Sequence, residues 1–125
     1  MRRLPLLLAG CLAVLLAWPT GTAGADELPA ETLFVACAGC HTRAPGAGHG
    51  VGPNLYALAG RRAGTLEDFA YSPALREADI TWNEGTLTAW VVGGEAMVPG
   101  TWMLYHNTLT PEEVARLVDW LLESP

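Results

Sequence analysis

The feature that most restricts this chain is five residues long: Cys37-Ala38-Gly39-Cys40-His41. Two thiols three positions apart at the end of a helix can reach the two vinyl groups of one haem. The imidazole that follows them then lies beneath the iron as a proximal ligand. Thioether bonds at Cys37 and Cys40 would prevent cofactor loss and fix where His41 stands. Other uses of a close cysteine pair fit less well. A structural zinc site wants four ligands, commonly a second cysteine pair or two closely spaced histidines, and His49 and His106 are isolated. A thioredoxin-like redox pair sits in a βαβ setting, which the sequence does not show, and a plain disulfide needs no His41. The expected cofactor is one haem c, bound covalently through Cys37 and Cys40.

The rest of the chain agrees with an exported, haem-supported domain. At 125 residues there is room for one small domain. Met1-Arg2-Arg3 is a positive start, Leu4 to Trp18 is almost wholly apolar, and Ala23-Gly24-Ala25 supplies small residues before Asp26. This reads as a secretory signal over residues 1–25, cut after Ala25, with the domain occupying 26–125. The apolar run is short for a membrane span. Two alternatives keep the chain on a membrane: an uncleaved anchor, or lipidation of Cys11, since Leu8-Ala9-Gly10-Cys11 resembles a lipobox. Cys11 lies very early for that, with apolar residues continuing past it.

Once the leader is removed, Cys37 and Cys40 are the only cysteines left, so no multi-bridge framework supports the core. Small domains of this kind often lean on a cofactor instead. Residues 26–125 hold five arginines, no lysine and 13 acids, a formal charge of −8. That excludes nucleic-acid binding through phosphates, which needs clustered cations, and it favours basic or mixed partner surfaces.

Local signals predict short helices joined by long loops, an all-α domain. Residues 29–36 read as a helix, with Pro29 suited to its first turn. Residues 42–54, rich in Gly, Pro and Ala, read as a loop. Ser72-Pro73 opens a short helix to about Glu77. Thr81-Trp82-Asn83-Glu84 offers a capping box into a helix ending near Val92, where Gly93-Gly94 should stop it. Residues 95–109 form another loop. Thr110-Pro111-Glu112-Glu113 is the clearest helix start, and Val114, Leu117, Val118 and Leu121 then share one face. No segment alternates like a strand. Long loops in so small a domain make sense if they enclose a large cofactor.

Haem iron also needs a sixth ligand or an open site. Met97 and Met103 both lie near Pro99-Gly100, composition alone does not separate them, and His49 or His106 could also serve. A neutral thioether favours ferrous iron and raises the potential, which suits a carrier more than an oxygen-activating catalyst.

With these residues in view, the chain resembles the class I cytochrome c family, in its mitochondrial-like and cytochrome c2-like branch. The resemblance covers nearly all of residues 30–122. It runs in order through Cys-Ala-Gly-Cys-His-Thr (37–42), Gly-Pro-Asn-Leu (52–55), Gly-Arg (60–61), Phe-Ala-Tyr-Ser (69–72), Ile-Thr-Trp (80–82), Thr-Leu (86–87), Pro-Gly-Thr-Trp-Met (99–103) and the final helix. It implies the class I fold of short helices and long loops around one covalent haem. It implies Met103 as the distal ligand, with Met97 left as a packing residue. It implies that the Pro53 carbonyl accepts the His41 ring hydrogen bond. Arg61, Tyr71 and Trp82 become the groups around a buried haem propionate. Leu55, Leu117 and Leu121 become apolar haem-pocket or helix-packing residues.

Several positions depart from the family pattern. Trp90 stands where Tyr is common beside the Met ligand, and Leu75 where a propionate-side Asn is common. Both changes imply fewer internal hydrogen bonds and an altered potential. Pro29 replaces a Gly at the contact of the first and last helices, where Trp120 holds a usual aromatic position. Trp102 replaces a common Lys, and no Lys exists to ring the haem edge. The functional expectation is a monomeric, periplasmic one-electron carrier that is not an enzyme. Its partners would be redox proteins, membrane respiratory complexes among them, docked through an apolar and acidic face near Trp102 and Tyr105. The alternatives are a haem subunit of a dehydrogenase or peroxidase, or a membrane-anchored relay.

Overall fold

The computed structural model describes residues 27–123, so the leader, with Cys11 and the cleavage position, lies outside the described residues. Five helices follow in chain order: α1 (Ala30–Leu33), α2 (Val35–Ala38), α3 (Pro73–Glu77), α4 (Glu84–Met97) and α5 (Pro111–Leu122). Among the described residues the sole β pairing is an isolated antiparallel bridge between Arg62 and Thr81. No helix there is long and apolar enough to cross a membrane.

The first helix differs in detail from the sequence expectation. Residues 29–36 do not form one helix. Two four-residue pieces flank Phe34, which keeps helical angles (φ −62°, ψ −18°), so the chain holds its direction into α2. The second piece reaches Ala38, so Cys37 sits in its last turn and Cys40 just beyond. Pro29 precedes α1 and Glu31 lies in its first turn, where a negative charge favours the helix dipole.

The start of α4 also differs. Asn83, not Thr81, caps it: its side chain accepts the Thr86 N–H at 3.0 Å, and the Thr86 hydroxyl accepts the Asn83 N–H at 3.0 Å. Asn83 wins because it stands immediately before the first helical residue, where its short side chain reaches the third N–H. Nor do Gly93-Gly94 end the helix. Gly93 leaves helical angles (φ −162°, ψ 60°) and kinks it, and α4 resumes to Met97. Gly94 is buried against the Trp90 ring, which a Cβ there would approach to 3.1 Å. It is a packing glycine.

Helix α5 follows its sequence signals. Thr110 and Glu113 cap each other reciprocally, at 3.3 and 2.8 Å. Leu117 and Val118 are fully buried, and Val114 and Leu121 nearly so. Burying each such side chain contributes about 1.5–3 kcal/mol before entropy is counted. This face packs on α1 and α4. On the α1 side, Trp120 lies 5.4 Å from Phe34, under the Arg43 guanidinium at 3.4 Å, and donates its indole N–H to Glu31 at 3.1 Å. Arg116 pairs with Glu27 beside it. The crossing at Pro29 is tied by aromatic and ionic contacts.

Candidate haem site

Two cavities meet at Cys37, His41 and Met103, which line both. The outer one, about 480 Å³, reaches the surface past Val51, Trp102 and Leu104. The inner one, about 60 Å³, runs between Leu55, Arg61, Trp82 and Trp90. Neither cysteine is in a disulfide. The Cys37 thiol is pushed up by burial, and further by nearby Cys40.

His41 is held from three sides. The Cys40 and His41 N–H groups both donate to the Cys37 carbonyl at 3.0 Å, continuing the helical turn past α2. Its ring Nδ1 lies 2.7 Å from the Pro53 carbonyl. A carbonyl can only accept, so Nδ1 carries the proton and Nε2 keeps its lone pair. Burial lowers the ring's pKa, while the Pro53 bond opposes that shift. A neutral imidazole with a free Nε2 is the form that binds iron. Gly52 closes the third side: a Cβ there would lie 2.6 Å from Nδ1. The Gly52 N–H is anchored on the Cys40 carbonyl at 2.8 Å, so this stretch is pinned to the haem-attachment turn.

Met103 follows a turn in which Gly100 takes φ +91°, a region L side chains rarely adopt. Thr101, buried, donates its N–H to Val98 at 3.1 Å and accepts the Met103 N–H at 3.3 Å. That turn aims Met103 at the cleft. Met97 lies elsewhere, in a groove with Ile80, Val98 and Pro99. His49 is also occupied: its Nδ1 accepts the Asn54 N–H at 2.9 Å and its Nε2 meets Asp68 at 3.1 Å. His106 is exposed and lines neither cavity. Of the ligand candidates left open by composition, Met103 is the one that shares the cleft with His41.

The inner end carries the polar and indole groups. Backbone bonds from Gly60 to Trp82 (2.8 Å), Trp82 to Arg61 (2.9 Å) and Ala63 to Ile80 (2.8 Å) hold Arg61 and Trp82 in register. Arg61 donates to the carbonyls of Tyr56 at 3.1 Å and Asn54 at 3.0 Å. Five guanidinium N–H groups exist, so donors remain for another acceptor. Burial lowers its pKa, and Tyr71 pulls the other way. Trp82 and Trp90 pack with ring centres 5.6 Å apart. Tyr71 is buried but lines neither cavity; it stacks edge-on against Phe69 at 4.8 Å. Leu75 is buried in α3.

Two positions had no assigned role in the sequence reading. Gly52 is one. The other is Asn54, buried, whose amide donates to Ala44 and Ala47 at 2.9 and 2.8 Å and accepts the Tyr56 N–H at 2.7 Å. Both lie in the Gly-Pro-Asn-Leu string, but what they touch depends on residues brought from elsewhere in the chain.

An imidazole, a thioether sulfur and two unbonded cysteines converge on one largely apolar cleft, with spare cationic donors at its inner end. This donor set fits an iron porphyrin. The cytochrome c family model matches residues 29–125. The chain is similar to cytochrome c2 of Rhodoblastus acidophilus, at 43% identity over 76% of this chain and 87% of that one. It is similar to cytochrome c of Chlamydomonas reinhardtii, at 42% identity over 79% and 89%. Among solved structures it matches cytochrome cH from Methylobacterium extorquens, with a TM-score of 0.68, 31% identity, and coverage of 74% of this chain and 92% of that one. On sequence and fold alike, this chain belongs to the cytochrome c family, with the class I fold and one haem c joined through Cys37 and Cys40.

Proposed function

We propose that this cytochrome c is a periplasmic one-electron carrier in which His41 and Met103 would be the protein ligands of the haem iron. When bound, the haem supplies a ferric/ferrous couple. The observation that carries the reading is that His41 and Met103 line the same cleft while Pro53 fixes the imidazole proton on Nδ1. A ring so fixed keeps one orientation in both oxidation states. Met103, a neutral donor braced by Thr101, favours the ferrous form. Both ligands come from short, pinned segments, so little reorganises when charge changes. With His41 and Met103 both available as ligands, no position would be left for a substrate at the metal, which supports a carrier over a peroxidase or dehydrogenase subunit.

Arg61 and Trp82, which line the inner cavity, would form the donor side for a haem carboxylate, with the nearby Tyr71 phenol as a further group on that side. A carboxylate is costly to bury without such partners. Leu55 and Trp90 keep the remaining inner wall dry. The leader over residues 1–25 supports export with a free mature domain, working as a monomer between redox proteins.

The test is the ferric spectrum of the purified holoprotein. Methionine ligation gives a weak near-infrared band, and Met103→Ala is expected to abolish it, shift the iron toward high spin and lower the potential. Met97→Ala should leave all three unchanged. A Met103→Ala spectrum identical to the parent's overturns the ligand assignment.

A further inference from the structure

We infer that the mouth of the haem cleft is an uncharged, apolar docking face, and that its partner is a redox protein presenting an apolar patch set among lysines and arginines. The inference rests on the carrier reading above and names the partner's chemistry.

The first observation is where exposed apolar side chains collect. Val51 is 84% exposed, Leu104 78% and Trp102 66%, and all three line the outer cavity. Ala36 lines it too, and its neighbour Val35 is also exposed. Single exposed apolar side chains are ordinary, but a cluster of them at one opening marks an interaction surface. A bound porphyrin would cover their inner sides and extend the same surface. An exposed tryptophan beside the distal ligand is a large side chain to leave in water unless something covers it.

The second observation is the charge around that face. No residue lining the outer cavity is an acid, a lysine or an arginine. Four of the five arginines in residues 26–125 are held elsewhere: Arg43 over Trp120, Arg61 on the carbonyls of Asn54 and Tyr56, Arg62 on Asp79, and Arg116 on Glu27. The fifth, Arg76, lies in α3. The same residues hold thirteen acids in all, and Glu67 and Asp68, both exposed, directly precede Phe69 and Ala70 on the cleft rim. The far field is therefore negative and the near surface is neutral. Such a surface draws a basic partner from a distance and holds it by excluding water, with few ion pairs at the contact. An acidic partner would be repelled. One electron then crosses between the two centres, oxidising one and reducing the other, and no bond forms or breaks.

The test uses the holoprotein on gold electrodes coated with mixed alkanethiol monolayers, methyl with amine termini or methyl with carboxylate termini. The expected result is a strong surface-confined wave on methyl/amine and a several-fold weaker one on methyl/carboxylate. Trp102→Ser and Leu104→Ser should each weaken the methyl/amine wave several-fold. So should Val51→Ser, which lies far in sequence from the Met103 loop, and an unchanged near-infrared band in all three variants shows that ligation is intact. Val92→Ser, also an exposed apolar residue at 58% but on α4 and away from the cleft lining, should not. Preference for the carboxylate film, or equal loss with Val92→Ser, overturns the proposal. A parallel optical redox titration separates the two layers. A reversible one-electron couple with no wave on methyl/amine defeats only the docking face, and absence of the couple defeats the carrier reading itself.

Discussion

Ala57 stands at φ +52° on an exposed turn, and Asp79 at φ +47° before the Arg62–Thr81 bridge. Both use the left-handed region, where a Cβ costs about 1–2 kcal/mol. They are not equivalent. Asp tolerates this region better than Ala, and Asp79 faces Arg62 at 2.9 Å, an exposed pair that adds little by itself. Ala57 has no such compensation. Ala57→Gly is therefore expected to stabilise the holoprotein by about 1 kcal/mol, after glycine's own entropy cost. Urea unfolding followed by helical signal measures this, and a destabilised variant would show that the turn is not strained. Gly52 illustrates the opposite constraint. Its backbone is ordinary, but the His41 ring fills the space where a side chain would go.

At the level of elements, most of the fixed geometry comes from caps and from one crossing. The Thr110–Glu113 box opens α5, whose inner face supplies the most deeply buried residues of the core. Thr110→Ala is expected to cost about 1 kcal/mol, the usual worth of an N-cap, while Thr110→Ser should cost little. Thermal unfolding of the two variants against the parent checks this, and equal losses would mean the hydroxyl is not the operative group. Helix α4 matters differently. Its kink at Gly93 and the close seat of Gly94 on Trp90 let the helix run on to Met97 before the turn that delivers Met103. Arg43 and Trp120 tie the stretch after the cysteine pair to α5.

For the whole molecule, the outer cavity alone is lined from four separate stretches of chain, and the stability of the fold should register a buried phenol. Burial pushes Tyr71 above the ordinary tyrosine value, and nearby Arg61 only partly offsets this. The folded pKa is raised, so the unfolded chain loses its proton first as pH climbs. Stability from this group is complete below the ordinary value, about 10, and is lost as pH rises through the folded value. Unfolding free energy should fall in that alkaline range, and Tyr71→Phe should flatten the fall. Parallel curves for both proteins would show that Tyr71 does not titrate differently in the two states.

The sequence by itself determined the attachment pair, the covalent haem, the all-α architecture and the start of α5, because each depends on neighbours within a few residues. Resemblance extended this to the family. Helix limits were less legible: Gly93-Gly94 read as a stop, whereas in the folded chain Gly93 only kinks α4 and Gly94 is buried against Trp90. Tertiary structure decided which sulfur and which imidazole share a cleft, since Met97, Met103, His49 and His106 differ only in what distant segments bring against them. It also decided that Asn54 knits the loop, that Arg61 is partly spent on carbonyls, and that apolar side chains exposed by their loops gather at one opening. Local chemistry fixes what a residue can do; only the folded chain fixes what it faces.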